Sequence, residues 1–128
     1  MEFSSQTVVI TGAAGNLGRA VASAFADGGA NGVLVDRRVE RLVERYGPEA
    51  ACTLYVAADL ARPADTAAIA QRARERFGRI DVLCNIAGTF RMGEPVHATS
   101  DATWDLLFDA NVRSLRNMVS AVVPVMLD

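Results

Sequence analysis

The 128 residues suffice for one domain with a substantial core, and 51% of them are apolar, which excludes a disordered chain. The 13 basic and 15 acidic residues leave a net charge of −2, so the chain as a whole carries no electrostatic footprint for DNA, RNA or an anionic membrane. All 13 basic residues are arginine, and lysine is absent.

The chain opens without a basic region followed by a long apolar stretch, so no secretory signal is read, and no apolar run approaches membrane-spanning length. Thr7-Val8-Val9-Ile10 is a short β-branched run of the kind that forms a strand covered on both faces. The turn Thr11-Gly12-Ala13-Ala14-Gly15-Asn16-Leu17-Gly18 follows, and then Leu17, Val21 and Phe25 recur at helical spacing. Strand, glycine turn and helix together form the setting of a phosphate-binding fingerprint. Gly12 permits the tight turn, Gly15 a close approach of backbone to a pyrophosphate, and Gly18 close packing of helix on strand. The free N–H groups of that helix end would meet the phosphates.

Asp27 to Gly32 break the helix, and Val33-Leu34-Val35 form a second strand ending at Asp36. A carboxylate there, about 20 residues beyond the glycines, is placed to accept the hydroxyls of a dinucleotide ribose. Arg37, Arg38, Arg41 and Arg45 lie on a short helix whose apolar side is Val39, Leu42, Val43 and Tyr46, and Gly47-Pro48 ends it. Most of this arginine face is expected to be solvated. Arg37 or Arg38 can stack on adenine or reach a 2′-phosphate, which keeps NADP in play beside NAD.

Thr53 to Ala57 read as the third strand, followed by Ala58-Asp59-Leu60. Pro63 opens the next helix, Ile69, Ala73 and Phe77 form its buried stripe, and Gly78 closes it. Arg72, Arg74, Arg76 and Arg79 are assigned to a wet outer surface. Ile80 to Cys84 form the fourth strand, running into Asn85-Ile86-Ala87-Gly88 and a loop from Thr89 to Val96. Thr99-Ser100-Asp101 offer N-caps for a helix beginning near Ala102. Leu107, Leu115, Val119, Val122 and Met126 mark a long apolar helix that Pro124 should kink or help to end. Cys52 and Cys84 are expected to be buried reduced thiols, consistent with a soluble, cytoplasmic protein.

Strands alternating with helices imply an α/β fold with a parallel sheet covered on both faces. In this order and spacing, the Thr11–Gly18 turn, Asp36, Asp59-Leu60, Asn85-Ile86-Ala87-Gly88 and Asn111 resemble the short-chain dehydrogenase/reductase family over essentially the whole 128 residues. The resemblance implies a Rossmann-type doubly wound sheet of order 3-2-1-4 and a single NAD(P)-binding domain, residues 1–128, that is truncated relative to the family. It assigns Thr11, Gly12, Gly15, Asn16, Leu17 and Gly18 to the pyrophosphate, and Asp36 to the adenosine ribose with Arg37 beside it. Asp59 and Leu60 go to the adenine, and Asn85, Ala87 and Gly88 to the route towards the nicotinamide ribose. Asn111 belongs to the family's catalytic Asn-Ser-Tyr-Lys group.

Two departures stand out. The family's commoner glycine spacing is TGxxxGxG, whereas here it is TGxxGxxG, with Asn16 where the second glycine usually falls; asparagine tolerates left-handed backbone angles. The family's Ser, Tyr and Lys are also missing. Tyr46 and Tyr55 have no lysine after them, and Ser114 and Ser120 follow Asn111 too closely.

The chain therefore reads as the cofactor-binding half of an oxidoreductase acting on alcohols or carbonyls, with NAD favoured by Asp36. It is expected to be inactive alone and to self-associate. A non-catalytic NAD(P)-binding sensor or regulatory module and a structural subunit are the rival readings. No metal site is expected, since His97 has no partner at ligand spacing. Cys84 lacks a base, Trp104 reads as a packing or subunit-contact residue, and Asp101, Asp105 and Asp109 as a solvated row.

Overall fold

The computed structural model describes residues 2–128. Four strands form one parallel sheet of order β3-β2-β1-β4: β1 (Thr7–Thr11), β2 (Asn31–Asp36), β3 (Thr53–Ala57) and β4 (Val82–Cys84). The helices α1 (Asn16–Asp27), α2 (Val39–Tyr46) and α3 (Pro63–Phe77) connect them. A short 3₁₀ turn (Val96–Ala98) precedes α4 (Asp101–Phe108), a π-helical turn (Asp109–Arg113) and α5 (Ser114–Leu127).

Side chains alternate along a strand, so each strand feeds two cores. Val8, Ile10, Leu34 and Tyr55 face α1 and α2 and pack with Ala22, Phe25, Leu42 and Tyr46. On the opposite face, Val9, Val33, Val35, Leu54 and Val56 meet Ile69, Ala70 and Ala73 of α3 and Met118 and Val122 of α5. Helices thus cover both faces, as the alternation of strands and helices implies. The expected punctuation is present as well. Pro63 is at the start of α3, Gly78 adopts a left-handed C-cap with its N–H on the Arg74 carbonyl (2.8 Å), and the Ser100 hydroxyl accepts from the Thr103 N–H (3.2 Å) at the start of α4.

Several expectations are corrected. β2 begins two residues earlier than its apolar run, because Asn31 and Gly32 pair with Thr7 and Val8. β4 is only three residues long. Before it, Asp81 uses its side chain as a cap: Oδ2 accepts from the Thr7 N–H (2.8 Å) while the Asp81 N–H donates to the Thr7 carbonyl (2.9 Å). Leu17 does not belong to the buried stripe of α1. It is 64% exposed, and Gly18 and Ala22 are the residues this helix buries.

Val39 and Val43 of α2 are exposed, leaving Leu42 as its buried anchor. Cys52 is exposed because it precedes β3 at the edge of the sheet, and Cys84 is half-buried. Pro124 does not end α5, which runs on to Leu127. In the last turn its missing N–H costs the helix at most one bond. The apolar stripe assigned to α5 is out of phase. Val122 is buried, but Leu115, Val119 and Met126 are exposed, and Ser114, Asn117 and Met118 take the inner positions. The inner face is the one that meets α3, not the one with the most apolar side chains.

The Arg79 guanidinium hydrogen-bonds Asp81 and, together with the Thr7 N–H, holds its carboxyl below the usual carboxylate range despite partial burial. A lowered folded-state pKa stabilises the native state above the unfolded value, and that contribution is lost as pH falls through the folded value. Asp81→Asn should therefore cost about 1–2 kcal/mol at pH 7. Its deficit relative to wild type should shrink below about pH 4, measured by urea unfolding at both pH values.

Candidate functional site

The site is assembled where β1 ends. The buried Thr11 hydroxyl accepts from the N–H groups of Ile86 and Ala87 (3.1 Å each), which ties the chain after β4 to the end of β1. Gly12 has φ +62°, and a Cβ there would lie 2.9 Å from the Ala87 backbone. A Cβ on Gly18 would lie 2.2 Å from the Gly12 carbonyl oxygen and 2.8 Å from the Ala13 Cα. Three backbones converge here, and only glycines permit it. Gly15 is different: its φ is −77°, and its nearest obstacle is the Gly12 oxygen at 3.3 Å. Asn16 needs no left-handed conformation, because it simply begins α1.

The first turn of α1 has neither a side-chain cap nor an acidic residue, whereas α2, α3 and α4 each carry one acid there, Glu40, Asp65 and Asp101. Its free N–H groups and positive dipole end are left for an external anion. Asn16, Leu17 and Gly18 line a cavity of about 770 Å³ together with Gly12 and Gly15. Leu17, absent from the core, instead contributes apolar wall here. The β2 end supplies Val35, Asp36 and Arg37, and α2 supplies Arg41; the β3 end supplies Ala58, Asp59, Leu60 and Ala61; the β4 end supplies Ile86, Ala87, Gly88 and Thr89. Arg91 and the helical residues Leu106, Asp109, Ala110 and Ser114 close the far side.

Asp36 is the most deeply placed charge, with a side chain 5% exposed. Its Oδ2 accepts from the Ala14 N–H (3.1 Å), and Oδ1 accepts from the Arg37 N–H (2.8 Å) and Arg41 Nη1 (2.9 Å). The carbonyls of the glycine turn are held from α2. Tyr46 Oη donates to Ala13 (2.5 Å) and Arg45 Nε to Ala14 (3.0 Å). Burial pushes the Tyr46 hydroxyl above its ordinary pKa, against the pull of Arg45 and Arg19, so it stays a donor at neutral pH. Arg41 and Arg45 are thus engaged rather than merely solvated. Arg76 likewise donates to the Ala50 and Ala51 carbonyls. Nothing in the sequence marks Tyr46 or Arg45 for this role, since it depends on a contact across more than 30 positions.

Asp59 lies on the cavity wall, exposed, and its Oδ1 accepts from the Ala61 N–H (3.0 Å). The Leu60 carbonyl accepts from Asn117 Nδ2 (2.9 Å), a buried α5 residue that sequence reading passed over. Asn85 is exposed and stands outside the cavity wall, while Ala87 and Gly88 are on it. Asn111 lies within the π turn. Its Nδ2 donates to the carbonyls of Leu107 (2.8 Å) and Thr89 (3.1 Å), and its Oδ1 accepts from the Thr89 N–H (3.0 Å). A Cβ on Gly88 would collide with that Oδ1 at 2.6 Å, so the side chain clamps the loop after β4.

Among the described residues no cluster of His, Cys, Asp or Glu could hold a metal. Burial raises the Cys84 thiol pKa, which disfavours a nucleophilic thiolate. Trp104 is exposed and stacks on Phe108 at 4.9 Å, and Asp109 pairs with Arg113 at 2.7 Å.

The family model for short chain dehydrogenases matches residues 6–128. The oxidoreductase UcpA of Escherichia coli (strain K12) is 37% identical over 98% of this chain and 48% of its own length. A short-chain dehydrogenase/reductase of Brucella melitensis, described as a glucose/ribitol dehydrogenase, superposes with a TM-score of 0.89 at 32% identity. That match covers 98% of this chain and 54% of the other. The 3-ketoacyl-(acyl-carrier-protein) reductase of the same organism, solved with NADH, gives 0.90 at 31% identity, covering 97% and 51%. The chain spans about half the length of the relatives it matches.

The glycine geometry separates two roles. Gly18→Ala forces backbone apart and should cost more than about 2 kcal/mol. Gly15→Ala has an ordinary φ and needs the Gly12 carbonyl to give by only a few tenths of an ångström, so it should cost about 1 kcal/mol and well under Gly18→Ala. Urea unfolding of the two variants measures the contrast.

Proposed function

This chain belongs to the short-chain dehydrogenase family, and we propose that it is the dinucleotide-binding part of an oxidoreductase that uses NAD in preference to NADP. The carrying observation is the uncapped N-terminus of α1 opening into the cavity that the buried Asp36 carboxylate also lines. An anion site and a diol acceptor on one parallel-sheet edge fit a pyrophosphate and an adenosine ribose. The close packing at Gly12 and Gly18 brings the start of α1 and the segment after β4 together at the end of β1. The nicotinamide, when bound, supplies hydride exchange with an alcohol or carbonyl carbon.

The protein's own groups bind and orient. N–H groups of Asn16, Leu17 and Gly18 hold phosphate oxygens, Asp36 accepts ribose hydroxyls, and Asp59 and Leu60 border the adenine. Ala87 and Gly88 lead towards the nicotinamide end. Asn111 fixes the backbone of Thr89 on that side. Proton transfer is not provided for in this span. No lysine is present, Tyr46 and Tyr55 are committed to the carbonyls of Ala13 and Gly47, and arginine stays charged at any working pH.

The 128-residue chain should bind NAD with a dissociation constant roughly tenfold or more below that for NADP, because a 2′-phosphate would face Asp36. It should produce no NADH absorbance with a panel of secondary alcohols. Calorimetric titration showing no binding of either dinucleotide would overturn the assignment. Enzymatic turnover would overturn the division of labour.

The exposed apolar side of α4 and α5, including Trp104, Phe108, Leu115 and Val119, supports self-association. Light scattering at micromolar concentration should show dimers or larger species, and Trp104→Ser should shift them towards monomer.

A further inference from the structure

Asp36 is nearly sealed, and the groups that seal it are unequal. A carboxylate offers about four lone-pair positions, two on each oxygen. Three are filled: two on Oδ1 by the Arg37 N–H and Arg41 Nη1, and one on Oδ2 by the Ala14 N–H. A ribose diol brings two hydroxyls and needs two acceptor positions, but only one remains. Two of the occupying donors are backbone amides held by the end of β2 and by the glycine turn, so they cannot yield without local unfolding. The third is the tip of a long side chain, 43% exposed, from the first turns of α2. Arg41 also lines the cavity and commits only one of its five N–H donors to Asp36.

We propose that Arg41 is a latch on Asp36 that sets the balance between NAD and NADP. The inference rests on the dinucleotide reading above. For NAD, the guanidinium must leave Oδ1 before the diol can bind through both hydroxyls, so the latch weakens NAD. For NADP, the guanidinium stays beside Asp36, offsets its charge and turns its unused donors to the 2′-phosphate, so the latch strengthens NADP. Asp36 and Arg41 therefore act in opposite directions at one subsite. Arg37 and Arg38, the arginines nearest in sequence, are not needed for this. Arg37 lines the cavity but bonds Asp36 only through its backbone N–H, and Arg38 lies off the cavity wall.

The probes are adenosine 5′-monophosphate and adenosine 2′,5′-bisphosphate, which carry this subsite without the nicotinamide, alongside NAD. Calorimetry of wild type, Arg41→Ala and Arg41→Lys reads the outcome, with urea unfolding as a check on folding. In Arg41→Ala the monophosphate and NAD should bind about threefold to tenfold tighter, and the bisphosphate at least about tenfold weaker. Arg41→Lys should recover part of the bisphosphate affinity, because its ammonium still meets the phosphate as a point charge. Equal weakening of both probes would mean a structural role and overturn the latch. So would weaker NAD binding or unchanged bisphosphate affinity in Arg41→Ala. If wild type binds NAD and the variants fail to separate the probes, the latch alone is wrong. If wild type binds none of the three, the dinucleotide assignment fails with it.

Discussion

The close packing of Gly18 of α1 on the carbonyl of Gly12, which leaves no space for a Cβ, positions the segments around the cavity. Because the helix touches the turn there, its first N–H groups open directly above the sheet edge. Because Gly12 also touches Ala87, the segment after β4 is drawn to the same point, and the Thr11 hydroxyl fixes it with two hydrogen bonds. A methyl group at Gly18 would act on all three segments at once. In a close-packed interior such a displacement cannot be absorbed locally.

The second layer is polar and comes from distant parts of the chain. α2 reaches back to the glycine turn through Tyr46 and Arg45, and α5 holds the Leu60 carbonyl through Asn117. Asn111 clamps Thr89 from the π turn. Each bond holds a backbone group beside the cavity, so the walls are set by side chains that do not themselves face a ligand. This is how a site made mostly of loop backbone keeps a defined shape.

What was legible in the sequence was local. The strand, glycine turn and helix could be read because period and punctuation are properties of adjacent residues, and Asp36 because it follows a strand at a fixed interval. What was missed depends on contacts between remote residues or on phase. Nothing near Arg41 says that it will close over Asp36, and nothing near Tyr46 says which carbonyl it will find. The apolar stripe of α5 was misjudged because α4 and α5 together have apolar residues on more than one side. Which side is buried is decided by contact with α3, through Met118 and Val122, and not by apolar spacing within the helix. Asn16 was credited with an unusual backbone because family spacing suggested it, whereas its actual place is an ordinary first helical residue.

The π turn also lies between two uses of one continuous rod. Leu106 of α4, Asp109 and Ala110 of the turn and Ser114 at the start of α5 line the cavity, whereas Met118 and Val122 further on are keyed into α3. A π turn takes up one extra residue as a local widening of the helix, so the flanking α-helical stretches keep their mutual facing. The π turn therefore widens the rod where Asp109 and Ala110 line the cavity, and the stretch keyed into α3 beyond it is α-helical.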